Sequence, residues 1–229
     1  MPALAACGES IKTESVPVTF RLPAPEGARY RLVDSKGEQI GTATLRTSAE
    51  GGGVLLQVAY DFGSNRTDTS AVLVQPETLR PTRSERTVVD GDQRYVTRSE
   101  YSDTDVTTTV DDGKRTRSRT AKLSDAAYDN LESLFLWRSA DLRPGYDVRY
   151  VNVIVDAKRG TISRAVGQMN VVGREDLRLP GGERVPAWKV EFRSAGVTNT
   201  AWYRDDATRQ LLRYEITRGP TLLLDTSGQ

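Results

Sequence analysis

Apolar and polar residues alternate with a period of two along most of this chain. Val54, Leu56, Val58 and Tyr60 share one side of a run. Trp188, Val190 and Phe192 face one way in another, with Lys189, Glu191 and Arg193 facing the other. Leu212, Tyr214 and Ile216 repeat the pattern. Strands are therefore expected over residues 30–34, 39–47, 54–60 and 70–75, and over 146–155, 161–172, 185–193, 199–204, 210–217 and 221–225. Residues 150–155 are apolar on both sides, which calls for cover on both faces or a bulge. Turn-formers such as Gly51-Gly52-Gly53 and Gly63-Ser64-Asn65 separate the runs. Every connection is short, so the expected order is an antiparallel meander.

One stretch breaks the period. Residues 124–142 place Tyr128, Leu131, Leu134 and Phe135 on one face at helical spacing. Ser124 is the expected N-cap, Asp125 suits the positive end of the helix dipole, and Leu123 with Tyr128 stand at the staple positions. Arg143-Pro144-Gly145 ends the helix. A single helix among many strands needs a sheet to bury its apolar face.

Residues 82–122 are much more polar. Asp90-Gly91 and Asp112-Gly113 are two-residue hairpin signals. The second predicts Asp111 opposite Lys114, Val110 opposite Arg115, Thr108 opposite Arg117 and Val106 opposite Arg119. Arg115, Arg117 and Arg119 then form a basic stripe with no acid directly across. One reading is a site for anionic head groups or wall polymers. The plainer reading is a solvated sheet edge whose charge discourages sheet-to-sheet pairing.

Composition narrows the chemistry. The net charge is +1, and no apolar run is long enough to span a bilayer. Nothing here points to nucleic acid. The 229 residues contain no histidine, which removes the commonest general base and the usual catalytic triads. The paired acids Asp111-Asp112 and Asp205-Asp206 sit in turns, where Asp bonds its own backbone. Asp103 and Asp105 have no third partner for a metal. The expectation is no enzyme, no metal and no cofactor.

The single cysteine is Cys7. Leu4-Ala5-Ala6-Cys7 resembles the lipobox of bacterial lipoproteins, in which the cysteine sulfur carries a diacylglyceryl group. That resemblance implies a residual signal peptide over 1–6 and a lipidated Cys7 holding the protein on a bacterial membrane, outside the cytoplasm. The polar, Pro-interrupted residues 8–27 read as a flexible tether, although Val16, Val18, Phe20 and Leu22 alternate as a weak edge strand would. Residues 28–229 read as one domain.

Longer motifs point to a family. Tyr128-Asp129-Asn130, Ser133-Leu134-Phe135 and Leu142-Arg143-Pro144-Gly145-Tyr146 form one half of the pattern. Val172-Gly173-Arg174-Glu175, Leu179-Pro180-Gly181-Gly182 and Ala187-Trp188-Lys189-Val190 form the other, closed by Ala201-Trp202-Tyr203 and Leu211-Leu212-Arg213-Tyr214. Together they resemble a bacterial family of uncharacterised secreted proteins and lipoproteins, similar in build to the LolA/LolB carriers. The resemblance implies a mostly β fold, an unclosed half-barrel wrapped over a helix, with no assigned catalytic residues. A curled sheet of ten or more strands has a concave face that one short helix does not fill. The remaining space is a pocket for an apolar molecule or lipid, with Leu134, Trp137, Tyr150, Trp188, Phe192, Trp202 and Tyr214 as expected lining. The alternatives are a non-catalytic interaction module of the cell envelope, partnered by another envelope protein, and a carboxylate-based hydrolase.

Overall fold

The structure, a computed structural model, describes residues 12–123, 127–194, 196–217 and 219–226. Cys7 and the expected helix cap at Ser124 and Asp125 lie outside them. Four strands come first: β1 (Glu26–Val33), β2 (Gln39–Glu50), β3 (Gly53–Asp61) and β4 (Arg66–Val74). The polar hairpins follow as β5 (Pro81–Asp90), β6 (Gln93–Tyr101), β7 (Asp105–Asp111) and β8 (Thr116–Lys122). The short β9 (Ala127–Asp129) leads into helix α1 (Ser133–Ser139). The chain ends in β10 (Asp147–Val155), β11 (Ile162–Arg178), β12 (Arg184–Ser194), β13 (Val197–Arg204), β14 (Leu211–Glu215) and β15 (Thr221–Leu224).

All fifteen strands form one sheet, and nearly every strand pairs with its sequence neighbour. This follows from the short turns, which leave antiparallel pairing as the only near option. Two pairings depart from the meander. β1 pairs with β15, Tyr30 opposite Leu224, joining the two ends of the chain. β9 runs parallel to β10, Tyr128 opposite Asn152, because α1 carries the chain back between them.

The sheet's edges are β8 and β9, consecutive in sequence yet not hydrogen-bonded to each other. Only four residues join them, so the edges lie within about 17 Å, and the sheet must curl through nearly a full turn. The ladder stays open at that seam. Side chains bridge it instead: the Tyr101 hydroxyl donates to Asp129 Oδ2 (2.7 Å), the Thr97 hydroxyl to the Ala157 carbonyl (3.2 Å) and Arg164 to the Lys122 carbonyl (2.6 Å).

The helix is shorter than its apolar spacing predicts, seven residues instead of nineteen. Tyr128 is held extended by the β10 ladder and cannot be helical. The cap is Asp129, whose side chain accepts from Leu131 N–H (2.9 Å) while Glu132 Oε1 accepts from Asp129 N–H (2.9 Å). This is a capping box spelled Asp-x-x-Glu, five residues beyond the predicted start. A single 3₁₀ turn, Asn130–Glu132, then leads into α1. Every residue of α1 is buried, so the helix has no solvent face.

Residues 12–25 supply the outer cover, where a flexible tether was expected. Val16 and Leu22 are buried in the core. Val16 N–H donates to the Tyr128 hydroxyl (3.1 Å), and Thr19 N–H to the Ser139 carbonyl (2.8 Å) at the open end of α1. Arg209 Nη1 donates to the Ala140 carbonyl (2.9 Å), satisfying another terminal acceptor.

The last polar hairpin is offset by two residues from its predicted register. Val110 faces Arg117, Thr108 faces Arg119 and Val106 faces Ala121. Gly113 (φ +78°) takes the first central turn position instead of the second, and Asp112 Oδ1 accepts from Lys114 and Arg115 N–H (3.0 and 2.8 Å). A shift of two preserves sidedness, so the arginines keep a common face. No acid stands directly across from Arg117 or Arg119, though Asp112 in the turn ion-pairs with Arg117 at 3.1 Å.

Candidate functional site

The register lets one inner-face row be followed across the sheet. It runs Leu45, Val58, Ser70, Arg86, Thr97, Val110 and Arg117, from β2 to β8. Apolar residues at one end pack on the helix. Polar ones begin at Ser70. Where the two chemistries meet, beside α1, the curl leaves a cavity of about 340 Å³.

Three walls enclose it. Strands β3, β4 and β5, with the turn after β3, contribute Val58, Tyr60, Phe62, Asp68, Ser70 and Arg86. The helical segment contributes Asn130, Leu131, Ser133, Leu134 and Trp137. The C-terminal strands and the turn before β15 contribute Phe192, Asn199, Tyr214, Ile216 and Pro220. Trp137 anchors the floor: its ring lies 5.0 Å from Phe192 and 6.0 Å from Tyr214, and its Nε1 donates to the Tyr150 hydroxyl (2.8 Å). These contacts fix the indole, so the space beside it persists instead of being filled by another rotamer.

The seven residues expected to line a pocket divide. Leu134, Trp137, Phe192 and Tyr214 line this cavity. Tyr150 lies behind Trp137, stacked on Phe192 at 5.4 Å, and does not reach the space. Trp188 is buried beneath the Arg174 guanidinium, 4.3 Å from its ring, away from the cavity. Trp202 points to the outer face. It pairs with Lys189 and Arg213, whose cations lie 5.7 and 5.2 Å from its ring, and its Nε1 donates to Glu175. Trp202 is still only 6% exposed, which is why an apolar count assigns it to the interior. The Arg115, Arg117 and Arg119 stripe lies on the exposed edge strand and its turn, away from the cavity.

The structure adds lining residues that periodicity missed. Asp68 and Arg86 form a bidentate pair, Nε–Oδ1 2.9 Å and Nη2–Oδ2 2.6 Å. Arg86 stands opposite Ser70 and Asp68 opposite Val88, which makes them diagonal neighbours on one face. The Asp68 carboxylate raises the Arg86 pKa further, keeping it cationic. Burial pushes the nearby Tyr60 phenol up to about 12, with Asp68 adding to the effect, so it stays neutral. The readable signal was a charged pair at inward positions of β4 and β5, visible only once the register was known.

Two carboxyls lie behind the cavity. Asp129 and Glu132 are 2% and 0% exposed, and burial raises both from their ordinary values, Glu132 well above its own. The charge of Asp129 raises Glu132 further. Glu132 Oε2 has no hydrogen-bond partner among the described residues. Neither carboxyl lines the cavity. No group of three or more His, Cys, Asp or Glu arranged for a metal ion occurs among the described residues.

Two solved structures show similarity at low level. A candidate lipoprotein from Parabacteroides distasonis matches with 11% identity and a TM-score of 0.34, over 92% of this chain and 98% of that one. A candidate exported protein with a YmcC-like fold from Bacteroides fragilis matches with 10% identity and a TM-score of 0.32, over 91% and 97%. Neither likeness is close enough to carry an argument about function. Among curated proteins, none matches the chain. Residues 28–220, nearly the whole curled sheet, match the model of the family described as protein of unknown function (DUF3108), and the chain belongs to that family.

Proposed function

We propose that this is an extracytoplasmic binding protein, lipid-anchored through Cys7, that holds an apolar molecule or lipid inside the curl of its sheet. The observation that carries this reading is the cavity of about 340 Å³ beside α1, with Leu134, Trp137, Phe192 and Tyr214 as its floor. Cavities of roughly 300–1,000 Å³ with mostly apolar walls and a few placed polar groups are the usual form of small-molecule sites. A core this rich in aromatics would be expected to close such a space if packing alone shaped it. Anchorage is supported by the lipobox-like Leu4-Ala5-Ala6-Cys7. Binding is favoured over catalysis because the two charged lining residues, Asp68 and Arg86, are engaged with each other. The LolA/LolB-like comparison adds only an analogy of shape to this proposal.

The test is native mass spectrometry of the full chain, purified gently from a bacterial host, with solvent extraction of whatever it carries. A stoichiometric adduct of lipid size is the expected result. A bare mass that stays bare after incubation with lipids would overturn the reading.

A further inference from the structure

The polar lining of the cavity gathers at its mouth, among partly exposed apolar residues such as Phe62 and Ile216, with Ser133 the buried exception. Leu134, Trp137, Phe192 and Tyr214 at the floor are buried. Asp68, Ser70, Arg86 and Asn199 are partly exposed at the mouth, and Asn130 is exposed. The side chains of Arg86 and Asp68 are 29% and 24% accessible, so solvent reaches the pair. An occupant matching this gradient has an apolar tail and a polar head.

The sign of the head group follows from the ion pair. Asp68 and Arg86 are the charged residues lining the cavity, and their charges cancel. Both nitrogens on one edge of the guanidinium already donate to Asp68. The other edge of the guanidinium still carries donors, but its charge is already balanced by Asp68. A carboxylate or phosphate head accepting from it would put a second negative charge on one cation and lie near Asp68 as a like charge. One that drew Arg86 away would leave Asp68 unpaired in a half-buried site. Both carry an electrostatic penalty. A hydroxyl head carries none. Asn130 Oδ1 accepts from Asn152 (2.8 Å) and Asn199 Oδ1 from Thr217 N–H (3.2 Å), so in each of these lining amides the oxygen is engaged and the NH₂ is the group left to donate to a head group. Hydroxyl oxygens accept from such donors, and hydroxyl protons donate to the remaining Asp68 lone pairs.

From this gradient and charge balance we infer that the cavity takes a single-chain amphiphile with an uncharged, hydroxyl-bearing head, of the monoacylglycerol class, and disfavours the corresponding fatty-acid anion. One chain is the fit because about 340 Å³ is at the small end of ligand cavities. The inference rests on the binding reading above and specifies its ligand class.

The experiment is calorimetric titration of the purified full chain with monolauroylglycerol, with laurate at a pH where it is fully ionised, and with a two-chain phosphatidylglycerol presented in nanodiscs. Monolauroylglycerol is expected to bind about tenfold tighter than laurate, which is about 1.4 kcal/mol. Asp68→Asn leaves Arg86 without its counter-charge and should move the ratio of the two affinities about tenfold toward laurate. Laurate binding the unaltered chain as tightly as monolauroylglycerol overturns the inference while leaving the binding reading intact. An unchanged ratio in Asp68→Asn, with the variant shown folded by circular dichroism, overturns it too. So does stoichiometric uptake of phosphatidylglycerol. Binding of none of the three overturns the inference and the proposed function together. The first comparison needs no variant, so a misfolded Asp68→Asn protein does not shield the claim.

Discussion

Strands β12–β15 and β1–β3 line the concave face with Phe192, Val190, Tyr214, Leu222, Tyr30 and Leu56, all packed toward α1 in one apolar cluster. Strands β5–β7 line the same face with Ser84, Thr97, Ser99 and Thr108, all buried. The second arm's own apolar core is small: Val106, packed with Ala127 and Val153 from the far end of the curl. The apolar arm is held by area removed from water, which is non-directional and tolerates small displacements. The polar arm is held by specific pairs such as Ser99–Thr108 (3.0 Å) and Tyr101–Asp129 (2.7 Å), which specify alignment and contribute less each. The cavity lies at the junction of the two arms. There, neither mode of packing is complete.

The contrast is broken most severely at Trp137. Trp137→Ala should cost about 3–5 kcal/mol in denaturant unfolding, since it removes a fully buried indole and orphans the Tyr150 hydroxyl. A loss under 1 kcal/mol would mean that the apolar arm is loosely packed.

The seam between the arms predicts a pH effect. Glu132 is raised by burial and by Asp129, so the folded state holds its proton more tightly than the unfolded state does. Stability from this group is full below the ordinary carboxylate range and is lost as pH rises toward the raised folded value. Glu132→Gln keeps the acceptor for Asp129 N–H and removes the titration. Its melting temperature relative to the unaltered chain should therefore climb as pH rises above the ordinary carboxylate range. A constant difference as pH rises would show that Glu132 is not held protonated.

Within the polar arm, Thr108→Val leaves the Ser99 hydroxyl buried and unpaired and should cost about 1–2 kcal/mol. The double change Ser99→Ala with Thr108→Val should recover part of that loss, because no unsatisfied group remains. A double variant as unstable as the sum of the two singles would refute the pairwise account.

The smallest effect belongs to the edge. Arg119 is exposed, and Arg119→Ala should leave the melting temperature unchanged within error. The same variant should leave monolauroylglycerol affinity unchanged, since the stripe is not part of the cavity.

Local sequence determined a good deal of this protein. The alternation placed most strands, because a half-buried strand can be read two residues at a time. Short turns fixed the meander from β1 to β8 and from β10 to β15, because no other partner is within reach. Phe192 and Tyr214 reach the cavity for the same reason, since inward parity is a local property, while Leu134 and Trp137 reach it from the fully buried α1. Tertiary structure decided the rest. Trp202 resembles Trp188 in composition and spacing, yet it lies outside because Lys189 and Arg213 cover it there with their stems and charges. Tyr128 has helical spacing to Leu131 and Phe135, but the parallel ladder with β10 claims its backbone. Asp68 and Arg86 are eighteen residues apart and became neighbours only through the β4–β5 register. A strand's pattern gives the two sides of that strand. Which side is concave, how far the sheet curls, and what meets across the curl depend on contacts between residues distant in sequence, and local periodicity does not encode these.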